Sequence, residues 1–259
     1  MPGLYGPPAV GESITSRAGA AVRLSVKDAI DIVRRRRAPF SPPRRMWPPG
    51  VANFGLDGRE QVNLMIGLGK LSPEARMIEV QCGSGLRARS LTDWLGPGAL
   101  YDGLDTDPAL PVWCDRAYER RLDFEFHHHA GLDAPLPFDD DSKDFVLMWD
   151  VLPGVGHAVV VHLLAEAHRI LLPDGCLFIS AYLLDGEATT ALAEGRARIE
   201  FADRDVSGSV APDGTRAQDE EWLLDRVAEA GFKNVGIRHG TWAGRSDGRS
   251  PFDILVARM

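Results

Sequence analysis

The chain of 259 residues reads as an α/β protein, a mostly parallel sheet with helices on its faces. Two observations predict this. Short apolar runs, at 77–80, 99–104, 124–129, 144–149 and 176–184, alternate with segments of helical spacing. One of these runs also leads straight into a glycine turn: MIEVQCGSGL, residues 77–86, is followed by a helical pattern as far as Trp94. A strand, a tight turn and a helix bring backbone N–H groups together at a place where a ligand can be held. Gly83 and Gly85 suit that turn, because a Cβ would crowd both the turn and the ligand.

Composition excludes several classes. Apolar content of 44% and charged content of 25% are those of an ordinary globular domain. A net charge of −8 makes nucleic acid a poor partner, since its backbone selects a basic face. No apolar run approaches the roughly 18 residues that predict a membrane span, and the first residues, MPGLYGPPAVGES, lack the pattern of a signal peptide. Cys82, Cys114 and Cys176 are far apart and form no CxxC pair, so a reducing, cytoplasmic setting is expected.

Taken in order, residues 1–24 are rich in Gly, Pro, Ala and Ser and read as an arm. Ser25 and Asp28 suggest a helix over 25–37, in which Arg34 to Arg37 are a solvated face. The prolines of APFSPPRRMWPPG make an extended connector, with Arg44, Arg45 and Trp47 able to fold over a ligand. Residues 1–56 are thus expected to form an arm with a lid-like helix and connector, and 57–259 the main domain. Asp57 and Glu60 suggest a capping box for a helix carrying Val62, Leu64, Met65 and Leu68. Asp105-Thr106-Asp107 follows the second strand, and Pro108 opens the next helix. Either aspartate can cap that helix; a carboxylate at the strand end also suits ribose hydroxyls. Residues 158–171 are an apolar helix, 183–216 a polar insert, 220–230 an amphipathic helix closed by Gly231, and 233–238 and 252–256 the last strands.

Gly83, Gly85 and Ala88 satisfy a G-x-G-x-x-A dinucleotide fingerprint, which keeps an NAD-type oxidoreductase as an alternative. Glu79 argues against it. A lone carboxylate in a central strand would cost several kcal/mol, and makes sense if the ligand brings a positive charge such as an amino group. The stretch resembles motif I of the class I S-adenosylmethionine methyltransferases, with Gln81 where that family has its first glycine. Three further stretches resemble the same family. They are LDAPLPFDDDSKD before the fourth strand, Trp149-Asp150-Val151-Leu152 at the motif IV position, and HRILLPDGCLFISAYLL. The tail HGTWAGRSDGRSPFDILVARM resembles one subset of these enzymes, so the likeness runs from about residue 57 onward.

The resemblance implies a Rossmann-like seven-stranded mixed sheet flanked by helices, with the last strand antiparallel. It implies S-adenosylmethionine as cofactor, held by Glu79, Gln81, Cys82, Gly83, Ser84, Gly85, Asp105, Thr106, His129, Ala130 and Trp149. Asp105 takes the ribose and Asp107 the helix cap, because the family puts its acid first after the strand. Nothing resembles the Asn-Pro-Pro-Tyr signature of amino-nitrogen methylation, so O-methylation of a small polar acceptor, a sugar or glycoside, is the expected reaction. Removing a hydroxyl proton calls for a His or carboxylate, and Asp150, His157 and His239 are the catalytic candidates. A methyltransferase-like binding protein without catalysis is the third reading. His127, His128 and His129 alternate across a strand with no spaced third ligand, so no metal is expected. The expected partners are a small-molecule acceptor and a second copy in a homodimer.

Overall fold

The computed structural model describes residue 28 and residues 39–259 apart from 202, 206 and 207. The expected arm at 1–24 and helix at 25–37 lie, Asp28 aside, outside the described residues. Seven strands form one sheet in the order β10-β11-β5-β4-β1-β2-β3. They are β1 (Arg76–Val80), β2 (Leu100–Asp105), β3 (Phe124–His128), β4 (Lys143–Met148), β5 (Leu171–Ala181), β10 (Lys233–Arg238) and β11 (Asp253–Arg258). β1 to β5 pair in parallel, while β11 runs antiparallel to both β5 and β10. This is the expected seven-stranded mixed sheet of the class I methyltransferase fold, and it puts the carboxyl ends of the parallel strands along one edge.

Strand periodicity divides the core. Met77, Tyr101, Phe145 and Phe178 face α1 (Phe54–Gly67), α2 (Leu86–Leu91) and α3 (Ala109–Ala117). Ile78, Leu104, Val146 and Leu177 face α4 (His157–Ile170) and α6 (Glu220–Glu229). Glu79 shares its face with Met77 and therefore lies under the α1–α2 layer. Pro173, Asp174 and Gly175 bulge out of the ladder: β4 advances from Lys143 to Phe145 while its partner jumps from Leu171 to Cys176.

Two expectations need correction. The helix before β1 starts three residues ahead of Asp57, capped by Asn53, whose Oδ1 accepts from the N–H groups of Gly55 and Leu56. Asp57 instead accepts from the backbone N–H groups of Ala52 and Asn53, at 2.9 and 3.2 Å, and ties the connector to the helix. The polar insert carries regular secondary structure of its own, and its last strand runs on to Asp219. It contains α5 (Gly186–Ala193) and a second sheet, order β6-β9-β8-β7, made from β6 (Leu183–Leu184), β7 (Asp203–Asp205), β8 (Gly208–Val210) and β9 (Arg216–Asp219). No helix among the described residues is long and apolar enough to cross a membrane.

Candidate active site

A cavity of about 360 Å³ opens at the carboxyl ends of β1 and β4. Its walls come mainly from the turn after β1 and the start of α2 (Gln81, Gly83, Ser84, Arg87), the end of β4 (Trp149, Asp150) and the connector (Arg45, Trp47, Pro48), with Gln61, Leu110 and Phe252 completing them. The turn is left-handed at three positions, Gln81 (φ 59°), Gly83 (φ 60°) and Gly85 (φ 81°). A Cβ on Gly83 would meet nothing within 4 Å, so the backbone here borders open space. Gln81 takes up the left-handed conformation without being glycine, at some cost. Its amide offsets this, accepting from the Thr106 N–H at 3.0 Å and donating to Thr106 Oγ1 at 3.1 Å. Thr106 is thereby held against the turn.

Asp105 fixes the turn from the other side. Its carboxylate accepts from the Gly83 N–H at 2.8 Å and from the Asp107 N–H at 2.9 Å. Asp107 accepts from the N–H of Ala109 at the start of α3, as a cap does. A carboxylate has about four acceptor sites, so Asp105 retains capacity beyond these two bonds.

Glu79 is not the unpaired charge expected from the sequence. It is fully buried, and Arg87 of α2 donates to Oε1 while the Tyr101 hydroxyl donates to Oε2 at 2.6 Å. Complete burial pushes the Glu79 carboxyl up, and Arg87 and Tyr101 oppose the shift. For Arg87 desolvation works downward, but Glu79 outweighs it and holds the guanidinium charged. The ligand's amino group is therefore not needed to neutralise this acid. Arg87 also donates to Gln61 Oε1 at 2.9 Å and lies 6.0 Å from the Trp149 ring centroid.

The connector sits directly on the turn. Ser84 Oγ donates to the Met46 carbonyl at 2.6 Å, the Arg44 guanidinium stacks 4.6 Å over Trp47, and Trp47 meets Phe54 of α1. Cys82 points away from the cavity into the core, where burial pushes its thiol well up. His129 is buried with Nε2 3.3 Å from the Ala134 carbonyl, and neither it nor Ala130 forms a wall of this cavity.

The three catalytic candidates are not brought together. Asp150 alone borders the cavity, held with φ 61° by its N–H bond to Ser180 Oγ. Its side chain is open toward the cavity yet surrounded by protein, and this desolvation raises its carboxyl to about 6 against the opposing pull of Arg87. His157 begins α4 and packs against Trp222, 4.7 Å between centroids. His239 follows β10 and faces a different cavity of about 690 Å³ between α1 and the 245–250 loop. Around it lie Asp253 at 3.6 Å, Glu220 at 3.6 Å and Asp185 at 3.7 Å, and Asp253 chiefly raises its imidazole.

Two groups of side chains could converge on a metal: Asp102, Glu125 and His127, and Asp185, Glu220 and His239. Each already holds a cation, Lys143 on Asp102 at 2.5 Å and Arg245 on Asp185 at 2.5 Å. Sequence reading missed Arg87, Gln61 and Phe252 at the main cavity. A buried acid in β1 was itself a signal that a base stood nearby.

Residues 77–175 match the family model of the methyltransferase domain. A phthiotriol/phenolphthiotriol dimycocerosates methyltransferase of Mycobacterium ulcerans is 35% identical over 133 residues, covering 49% of this chain and 45% of that protein. The match thus spans less than half the length of that relative. Among solved structures, an S-adenosylmethionine-dependent methyltransferase from Mesorhizobium loti superposes with TM-score 0.56 at 19% identity, covering 79% of this chain and all of that one. The [4+2]-cyclase SpnF superposes at 0.55 with 17% identity, covering 77% and 80%. At these identities the superpositions speak for the fold alone.

Proposed function

We propose that this chain, which carries a class I S-adenosylmethionine-dependent methyltransferase domain, methylates a hydroxyl of a small polar acceptor, with a sugar or glycoside as the acceptor class. Asp150 carries the reading: of the three catalytic candidates it alone stands on the cavity that the glycine turn also borders, beside Trp149. S-adenosylmethionine, the cofactor of this domain class, supplies an electrophilic methyl group when bound. The residues present fit it. Gly83 borders open space, Arg87 and Arg45 bring positive charge to one part of the cavity, and Asp150 brings a carboxylate. The volume is within the range of small-molecule sites.

Methyl transfer is an in-line displacement, so positioning the acceptor oxygen supplies much of the rate. Asp150 accepts the hydroxyl proton as the bond to oxygen forms, a task suited to a base whose pKa lies near neutrality. Asp105 uses its remaining acceptor capacity on the ribose, and Gln81, Ser84 and Thr106 keep the turn in shape. Trp47 and the connector at 39–56 cover the cavity and exclude water, beside the domain at 57–259. His157 and His239 stay in the proposal as acceptor-side groups. The three buried, unbridged cysteines accord with a cytoplasmic enzyme. The Mycobacterium ulcerans relative is named for triol substrates, which supports oxygen as the methylated atom.

The test is a panel of sugars, glycosides, phenols and small acids with methyl-labelled cofactor, followed by mapping of the labelled atom. Label on a carbohydrate oxygen is expected. Label on nitrogen or carbon would overturn the oxygen assignment.

A further inference from the structure

The guanidinium of Arg87 has three donor groups, and only two are used. Nε donates to Glu79 and Nη1 to Gln61, while Nη2 makes no hydrogen bond among the described residues. The side chain is only 7% exposed, yet it forms part of the cavity wall, and Nη2 is not sealed from it. A buried donor left open toward a cavity is suited to an acceptor brought by a ligand, because a group already desolvated loses little more on binding. The two fixed bonds aim the fork before the ligand arrives. Arg45, the other cation on the wall, is exposed and lies on the connector.

Charge decides what that acceptor is. Arg87 and Glu79 cancel, and Tyr101 takes the second oxygen of Glu79, so Glu79 presents no free carboxylate to an ammonium group. The part of the pair that reaches the cavity is the cationic one. A guanidinium edge selects a planar anion, a carboxylate before any other group of comparable size.

We infer that Arg87 reads the carboxylate of the ligand's amino-acid end, and so distinguishes a cofactor with an intact amino-acid tail from the same nucleoside without one. This rests on the S-adenosylmethionine reading above, and it reverses the part that the sequence suggested for Glu79. The pair acts as one unit: Glu79 orients the guanidinium, and Arg87 makes the contact.

The test is titration calorimetry with S-adenosylhomocysteine, which has the amino-acid tail, and 5′-methylthioadenosine, which lacks it. Arg87→Met alone would leave Glu79 buried without a partner and could unfold the protein, so the Glu79→Gln/Arg87→Met double variant is measured beside it. The wild type should prefer S-adenosylhomocysteine. In the double variant that ligand should weaken about 10- to 150-fold, the loss of one charge-assisted hydrogen bond, with methylthioadenosine changed less than threefold. Arg87→Lys should fall between, and Arg45→Ala should keep the wild type's preference for S-adenosylhomocysteine over methylthioadenosine. Equal losses for both ligands, unchanged S-adenosylhomocysteine affinity, or a selective loss in Arg45→Ala instead would each overturn the assignment. A wild type that binds neither nucleoside would overturn the cofactor reading itself, a separate outcome.

Discussion

Replacing Asp253 tests how the tail is held. The residue is fully buried at the start of β11, where its carboxylate accepts three hydrogen bonds: from Leu183 N–H at 2.7 Å, Gly240 N–H at 2.7 Å and Trp242 Nε1 at 2.6 Å. These join the start of the insert, the end of β10 and the tail loop at one point. Hydrogen bonds to a charged group contribute about 1.5–3 kcal/mol each. Their simple sum would exceed what single substitutions ordinarily cost, and bonds sharing one acceptor do not add. Asp253→Ala should therefore lose about 3–5 kcal/mol, having left three buried donors without an acceptor. Asp253→Asn should lose less, about 1–3 kcal/mol, because its amide oxygen still accepts from Leu183 and Trp242 while its NH2 faces the Gly240 N–H. Asp247→Asn, exposed in the same loop, should stay within about 0.5 kcal/mol of wild type. Urea unfolding followed by circular dichroism measures all three. A loss below about 1 kcal/mol for Asp253→Ala would refute the reasoning, as would an equal loss for Asp247→Asn.

Other outcomes follow from the same geometry. Asp150 acts in its charged form, so the turnover number should rise with pH through about 6 and level above 7; Asp150→Asn should lose most activity together with that limb. An unshifted limb in the variant would remove Asp150 from the base role. At position 81, glycine accepts a φ of 59° without strain while alanine keeps the strain and loses the Thr106 bonds. Gln81→Gly should therefore be more stable than Gln81→Ala by about 1 kcal/mol, and the reverse order in thermal melts would count against the strain argument. Asp105→Ala should weaken S-adenosylhomocysteine at least 10-fold by calorimetry, with Asp107→Ala nearly silent. The opposite pattern would move the ribose to Asp107.

How far the sequence could be read depends on the range over which each feature is encoded. The sheet was legible because strand periodicity and the spacing of Gly83, Gly85 and Pro173 are local signals, and parallel βαβ connectivity leaves few topologies. The turn after β1 was legible for the same reason. The Glu79–Arg87 pair was not, since it joins a strand to the helix packed above it and follows no fixed sequence spacing. The seating of Ser84 on Met46 was equally hidden: the two residues are 38 apart and the connector has no periodicity. His157 and His239 follow sheet strands in sequence, but a seven-stranded edge is wide. One stands against Trp222 and the other faces the second cavity, with only Asp150 at the glycine turn. The insert's own sheet escaped notice because strands of two to four residues give no readable alternation.

The central claim is that the cavity between the glycine turn and the connector holds a sulfonium nucleoside and no nicotinamide dinucleotide. Titration calorimetry of the wild-type protein with S-adenosylhomocysteine and, separately, with NAD measures this directly. Micromolar binding of S-adenosylhomocysteine with no heat from NAD is the predicted result; micromolar binding of NAD with none of S-adenosylhomocysteine would contradict it.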